Sequence, residues 1–280
     1  MDDEKKRLVA AARAPGWPGA DDGFELVKWY LDSVEPDGSA AIAYWTSLKW
    51  LGVNDNWHDL SRYDLDKPPV EQSSRKDEPP PTLADGHIAF HSAPLALETI
   101  HEGATPGITL TLFASSDGRV QWECLAPSAR VRFDRGGVTT AGAGYVERMT
   151  MTIPPWQLPI AELRWGRWMS DSLTTSLVWI DWRGTLARRW VVFNGTLHEG
   201  AVVRDDGVDL DAGRLALGAP RTLHHRSVGK LLRGMSGLAR IATHIPLAWE
   251  ERKFCCRAAF TGANGESTSG WSIHELVRMP

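Results

Sequence analysis

The chain has 280 residues, 42% of them hydrophobic, and a formal net charge of −4 at neutral pH. That is enough apolar material for one large or two modest cores, and the charge gives no basis for general nucleic-acid binding. Fourteen tryptophans stand against four tyrosines; indole buries much area but its N–H needs a partner, so the excess points to large aromatic-lined surfaces or cavities.

Residues 1–20 read as an N-terminal arm. A short helix is predicted over 3–13, ended by Pro15, Gly16, Pro18 and Gly19. No apolar stretch of signal-peptide length occurs there. Leu26–Asp32 and Ala40–Trp50 read as two strands joined by a turn at Pro36-Asp37-Gly38. In the second, Ile42, Tyr44, Thr46 and Leu48 share a face. Asn54–Asp66 reads as polar and irregular. Residues 66–86, with five prolines among serines and charges, read as a loop, either a lid or an exposed insertion. Strands follow at His87–Ala93, Ile108–Ala114, Val120–Leu125 and Arg130–Phe133. Short strands at this spacing indicate an antiparallel sandwich or barrel.

The stretch 142–184 is the richest. Gly144–Thr152 alternates so that Tyr145, Glu147, Met149 and Met151 share a face. Ile160–Trp168 puts Glu162, Arg164 and Trp168 on one face and Leu163, Trp165 and Arg167 on the other. Leu177–Arg183 puts Leu177, Trp179, Asp181 and Arg183 on a pocket-like face, with Val178, Ile180 and Trp182 on a core-like one. Pro154, Pro155 and Pro159 place Trp156 on a loop. Further strands are expected at Arg188–Asn194 and Ala201–Arg204, and His224-His225 is read as part of a basic loop. Ser227–Ile241 has helical spacing with basic residues interspersed. A helix packed on a barrel is preferred there over one touching a membrane surface. Phe254–Phe260 and Ser269–Val277 close the chain around an Asn264-Gly265 turn.

Gly144-Tyr145-Val146-Glu147, Trp165-Gly166 and Trp179-Ile180-Asp181 resemble motifs of the carotenoid 1,2-hydratase (hydroxyneurosporene synthase) family. Trp29-Tyr30-Leu31-Asp32 followed by Asp37-Gly38 resembles its N-terminal signature, and Gly270–Glu275 its last strand. The resemblance runs from about residue 25 to the C-terminus. It implies the two-domain, lipocalin-like β-barrel fold that this family shares with AttH-like proteins, tocopherol cyclase and fungal decalin-forming Diels–Alderases. Two departures count against carotenoid hydration itself. The family's Gly-Tyr-Xaa-Asp-His-Asn-Trp-Gly has Arg148 and Thr150 here in place of His and Trp. In its later Tyr-Xaa-Asp, Trp179 stands for Tyr; Asp181 is retained, which implies an acid there.

Hydration, cyclisation or isomerisation of a polyene needs a proton donor in a dry aromatic cavity. Aromatic faces stabilise the carbocation, and burial keeps a carboxylic acid protonated near neutral pH. Asp181, between Trp179 and Trp182, is the first candidate; its alternative is an ion pair with Arg183, Arg164 or Arg167. Glu147, with Tyr145 on its face, is the second. Arg148, Arg164 and Arg167 offer another route. They can hold a carboxylate, enolate or carbonyl while a pericyclic reaction proceeds by positioning, or they can simply bridge two domains.

His87-Xaa₃-His91 lacks a third ligand, so no metal is expected. No GxSxG, GxGxxG or P-loop pattern occurs, and no cofactor is expected. Cys124, Cys255 and Cys256 form neither a disulfide framework nor a CxxC zinc pattern, which favours a reducing compartment. No apolar run is long enough to span a bilayer.

The expectation is therefore a cytoplasmic, mainly β protein with few short helices. Its lipocalin-like antiparallel barrel domains span 21–148 and 149–280, with a Trp-lined site at their junction. The expected function is a cofactor-independent cyclase or hydratase of a hydrophobic isoprenoid or polyketide-like polyene. Asp181, Glu147 and Tyr145 would act on the substrate, and Arg164, Arg167, Trp165, Trp179, Trp182, Trp156 and Tyr44 would bind it. Membrane contact would be transient at most. A non-catalytic carrier of a lipophilic molecule is the runner-up, ahead of a structural protein with side-chain-filled barrels.

Overall fold

The computed structural model describes residues 23–103, 107–227 and 249–279. They form twenty strands in two antiparallel sheets. The first sheet contains β1 (Glu25–Val34), β2 (Ala40–Trp50), β3 (Val53–Tyr63), β4 (Val70–Ser74), β5 (Thr82–Ala84), β6 (His87–Ser92), β7 (Leu97–Glu102), β8 (Thr109–Ser115), β9 (Gly118–Arg135) and β10 (Val138–Met151). The second contains β11 (Glu162–Ser170), β12 (Ser176–Arg183), β13 (Arg188–Phe193), β14 (Thr196–Leu197), β15 (Val202–Arg204), β16 (Gly207–Leu210), β17 (Gly213–Leu217), β18 (Arg221–Ser227), β19 (Glu250–Gly262) and β20 (Ser267–Arg278). The expected boundary at 148 lies within β10; the chain passes between sheets over 152–161.

The two sheets repeat one topology. The first runs β4-β3-β2-β1-β10-β9-β7-β6-β5 with β8 added on β9, and the second runs β14-β13-β12-β11-β20-β19-β17-β16-β15 with β18 added on β19. Each curls about its own apolar interior, as twisted sheets of this size do. Alternation decides what goes where. Trp29, Leu31, Trp45, Leu60, Ile88, Phe90 and Val146 fill the first interior, and Trp168, Leu177, Trp179, Val191, Val208, Leu215 and Phe260 the second. The opposite faces of the same strands meet between the sheets. There Tyr30, Ile42, Trp122, Tyr145, Trp165, Val178, Ile180, Trp182 and Ile273 form a third, shared core.

Several local readings are corrected. Asn54–Asp66, read as irregular, carries most of β3; its polar residues alternate with the buried His58, Leu60 and Tyr63. The 66–86 loop contains β4 and β5. Both lie at open ends of the first sheet and are almost wholly exposed, so they need no apolar face, which hid them among the prolines. Val120–Leu125 and Arg130–Phe133 are one strand, β9. Pro127 reads as a break in sequence, but it falls where the β9–β10 register shifts, a bulge that dispenses with its missing amide. His224 and His225 lie in β18, not in a loop. The helices expected at 3–13 and beyond Ser227 lie outside the described residues. Among the described residues no helix is long and apolar enough to cross a membrane.

Candidate functional site

Cross-strand neighbours share a sheet face, and two such rows oppose each other at the junction. Across the first sheet run Asp59, Tyr44, Tyr30, Glu147 and Cys124. Across the second run His224, Lys253, Glu275, Trp165, Ile180 and Trp190. The rows touch through aromatic edges: the Trp165 ring lies 5.0 Å from Tyr30 and 5.7 Å from Tyr145 between centroids.

Glu147 sits in this contact, 8% exposed, beside the β9–β10 register shift. Bulges commonly re-aim side chains. Its Oε2 accepts three hydrogen bonds: from Trp122 Nε1 at 2.5 Å, Tyr145 Oη at 2.8 Å and Trp165 Nε1 at 3.1 Å. Burial pushes the carboxyl above its ordinary range, against the three donors and the Lys28 charge, which favour the ionised form. With Oε2 taken by three donors, Oε1 is the oxygen free to take a proton. A carboxyl whose protonated form is favoured by burial among indole and phenol faces can protonate an alkene, and those faces can shelter the resulting cation.

Lys253 is the second buried charge, 1% exposed. Its Nζ lies 2.6 Å from Glu275 Oε2 and 3.8 Å from Glu251 Oε1, and it donates to Tyr44 Oη at 2.9 Å. It also lies over the rings of Tyr30, Tyr44 and Trp165, 4.9–5.5 Å from their centroids. Burial alone would lower its pKa; the Glu275 and Glu251 carboxylates outweigh that and hold it charged. Glu251 also pairs at 2.8 Å with His224 Nε2, whose Nδ1 meets Tyr63 Oη at 2.7 Å. Polar bonds thus link the sheets from Tyr63 through His224, Glu251 and Lys253 to Tyr44.

Of the residues singled out from sequence, Glu147, Tyr145, Trp165 and Tyr44 come together here. Trp182 lies on the same junction face, packed edge-on to Trp190 at 5.1 Å. Trp156 packs on Phe24 and Trp50 at 6.1 and 5.2 Å, and its buried Nε1 has no hydrogen-bond partner. The others are elsewhere. Trp179 points into the second sheet's own interior. Asp181 shares that face, 2% exposed, and is held by Arg183 Nε at 2.8 Å and Arg189 Nε at 3.0 Å. A doubly paired carboxylate is an ion-pair partner and a poor acid. Arg164 pairs with Glu162 at 2.7 Å and with Asp205. Arg167 does face the junction, but its guanidinium is taken by Asp32 through Nε at 3.0 Å and Nη2 at 2.6 Å. It bridges the sheets. Arg148 lies on the far face, paired with Glu123 at 2.6 Å.

The alternation of β12 was legible, but its faces were assigned the wrong way round: the apolar face lines the junction. Lys253, Glu251, Glu275 and Tyr30 were missed. Their available signal was the period-two run Glu251, Lys253, Cys255, which puts charges on an otherwise buried face. Two cavities, of about 500 and 420 Å³, lie beside Leu173. Neither is lined by Glu147 or Lys253. The cluster meets solvent one row further out, at the exposed Lys28 and the half-buried Met149. Among the described residues no three His, Cys, Asp or Glu side chains converge as a metal-binding group.

No family model matches the chain, and no curated protein does. Among solved structures it is similar to CghA, at 11% identity over 91% of this chain and 88% of that one, with a TM-score of 0.53. CghA with Sch210972 aligns at 11% identity over 91% and 89%, with a TM-score of 0.50. Kievitone hydratase from Nectria haematococca aligns at 9% identity over 94% and 90%, with a TM-score of 0.51. The chain therefore shares with these proteins the lipocalin-like fold of two curled antiparallel sheets.

Proposed function

We propose that the chain is a cofactor-independent enzyme that hydrates, cyclises or isomerises a hydrophobic isoprenoid or polyketide-like polyene at the junction of its two sheets. The observation that carries this reading is Glu147: a buried carboxyl with a raised pKa, fixed through one oxygen and enclosed by Tyr30, Tyr145 and Trp165. Glu147 donates the proton, Tyr145 and Trp165 orient it, and the aromatic faces stabilise the cation. Catalysis by such an acid is worth about 10²–10⁴-fold. A hydratase is among the proteins sharing the fold, which accords with the reading. Three buried, unpaired thiols fit a cytoplasmic setting.

The test is product analysis on a panel of polyenes with the parent and with Glu147→Gln. The parent forms a new product, and its rate falls as pH rises through the raised pKa of Glu147, because the protonated form is the active one. Glu147→Gln binds but loses about 10²-fold or more in turnover. Ligand recovered unchanged from the parent would replace this reading by that of a carrier.

A further inference from the structure

We propose that the ligand of this junction carries an acidic oxygen (a carboxylate, enolate or phenolate) that Tyr44 and Lys28 receive at its mouth. This rests on the junction being the ligand site. The Tyr44 hydroxyl accepts a hydrogen bond from Lys253 Nζ at 2.9 Å, so its own proton points elsewhere, and no described residue accepts it. Burial raises the phenol's pKa, so Tyr44 is a donor and not a phenolate. An ammonium on its oxygen polarises it further, as in any chain of hydrogen bonds.

Lys28 stands beside it, with Nζ 4.5 Å from the Tyr44 ring centroid. It is exposed and forms no ion pair with a described residue. The neighbouring charges are committed: Lys253 to Glu275 and Glu251, Arg167 to Asp32, Arg226 to Glu71 and Arg148 to Glu123. Lys28 is the one of these cations without an ion pair to a described residue; Asp59, beside Tyr44 in the same row, is held by Ser73 and feels the Lys28 charge across the strands.

A hydrocarbon would leave the Tyr44 donor unmatched, which is costly in a desolvated site. An acidic oxygen accepts from Tyr44 and pairs with Lys28. The arrangement also sets a distance. Tyr44 and Glu147 lie two strands apart in one row, about 10 Å at ordinary strand spacing. The anchored head group and the bond protonated by Glu147 are therefore separate parts of the ligand.

The test uses cis-parinaric acid, a conjugated tetraene carboxylate, and its methyl ester. Each is titrated by fluorescence against the full chain, Lys28→Ala and Tyr44→Phe. The acid should bind about tenfold more tightly than the ester, and the margin should shrink with added salt. Lys28→Ala should remove most of the margin; Tyr44→Phe should weaken the acid and leave the ester unchanged. Equal affinities in the parent, or a preference that survives both substitutions, would overturn the head-group assignment and leave the Glu147 reading to be judged on turnover. No saturable binding of either probe would overturn the assignment together with the junction as a ligand site.

Discussion

Glu147 is held against its own charge, and that conflict is measurable in stability. An unfolded glutamate titrates near about 4.3, and the folded value is raised. Below the unfolded value both states bind the proton and Glu147 contributes nothing. As pH rises through the folded value the buried group must ionise, and stability is lost. Glu147→Gln keeps an acceptor for Trp122, Tyr145 and Trp165 but removes the charge. In urea unfolding series, its stability relative to the parent should be flat near pH 4 and improve toward pH 8. The opposite trend would mean that the three donors keep Glu147 ionised, and its role as acid would fall. Asp181 shows what the sequence, which ranked it ahead of Glu147, left out. Both lie in alternating strands among tryptophans. What separates them is the neighbours: Arg189 comes from β13 and Arg183 from β12 itself, whereas Glu147 has indoles from β9 and β11. The pairing of strands, not the local spelling, decides which carboxyl meets guanidinium groups and which meets indoles.

At the scale of elements, β11 and β12 show a glycine doing the work of a groove. Gly166 and Trp179 are cross-strand partners, and the indole lies against the backbone so closely that a Cβ on Gly166 would be 2.1 Å from Trp179 Cζ2. The Trp165-Gly166 and Trp179-Ile180-Asp181 motifs are thus two halves of one packing contact inside the second sheet. Gly166→Ala should push the indole aside and destabilise the protein by about 1–3 kcal/mol, the usual cost of overpacking. Trp179→Phe added to it should recover part of the loss. Unchanged chemical-denaturation midpoints would show that the indole is not held there. β1 and β2 were legible as apolar runs buried on both faces, and the end of β10 from its alternation. β4 and β5 were not, because exposed edge strands leave no period-two signature. β3 hid its signature behind Asn54, Asp55, Asn56 and Asp59. Alternation also cannot say which of a strand's two faces looks into its own sheet and which looks at the other, so Trp179 was expected at the junction and lies in the second sheet's own interior.

For the whole molecule, the two sheets repeat one strand order without a repeat readable in sequence. Topology constrains only the pattern of burial, and many residue sets satisfy it. The equivalent strands β1 and β11 face each other and carry complementary residues at i and i+2: Tyr30 and Asp32 on one, Trp165 and Arg167 on the other. The aromatic pair packs edge to face in the shared core, and the charged pair bonds beside it. Both charged side chains are 0% exposed. Asp32 also accepts from Tyr30 Oη at 2.9 Å, and Arg167 Nη1 donates to the Trp271 carbonyl at 3.0 Å. A buried pair this well satisfied is weak evidence of net stabilisation, since its desolvation offsets its attraction. Removing one partner is a different matter, because the other is left charged in the junction. Arg167→Met and Asp32→Leu should each destabilise the chain by about 3–5 kcal/mol, and the double variant by much less than their sum. A double-mutant cycle in urea measures this. Additive losses would mean that the two charges do not act as a unit, and that the Asp32–Arg167 pair adds nothing of its own to the apolar contacts of Trp165, Ile180 and Ile273 and the Tyr63–His224 and Lys253–Tyr44 bonds.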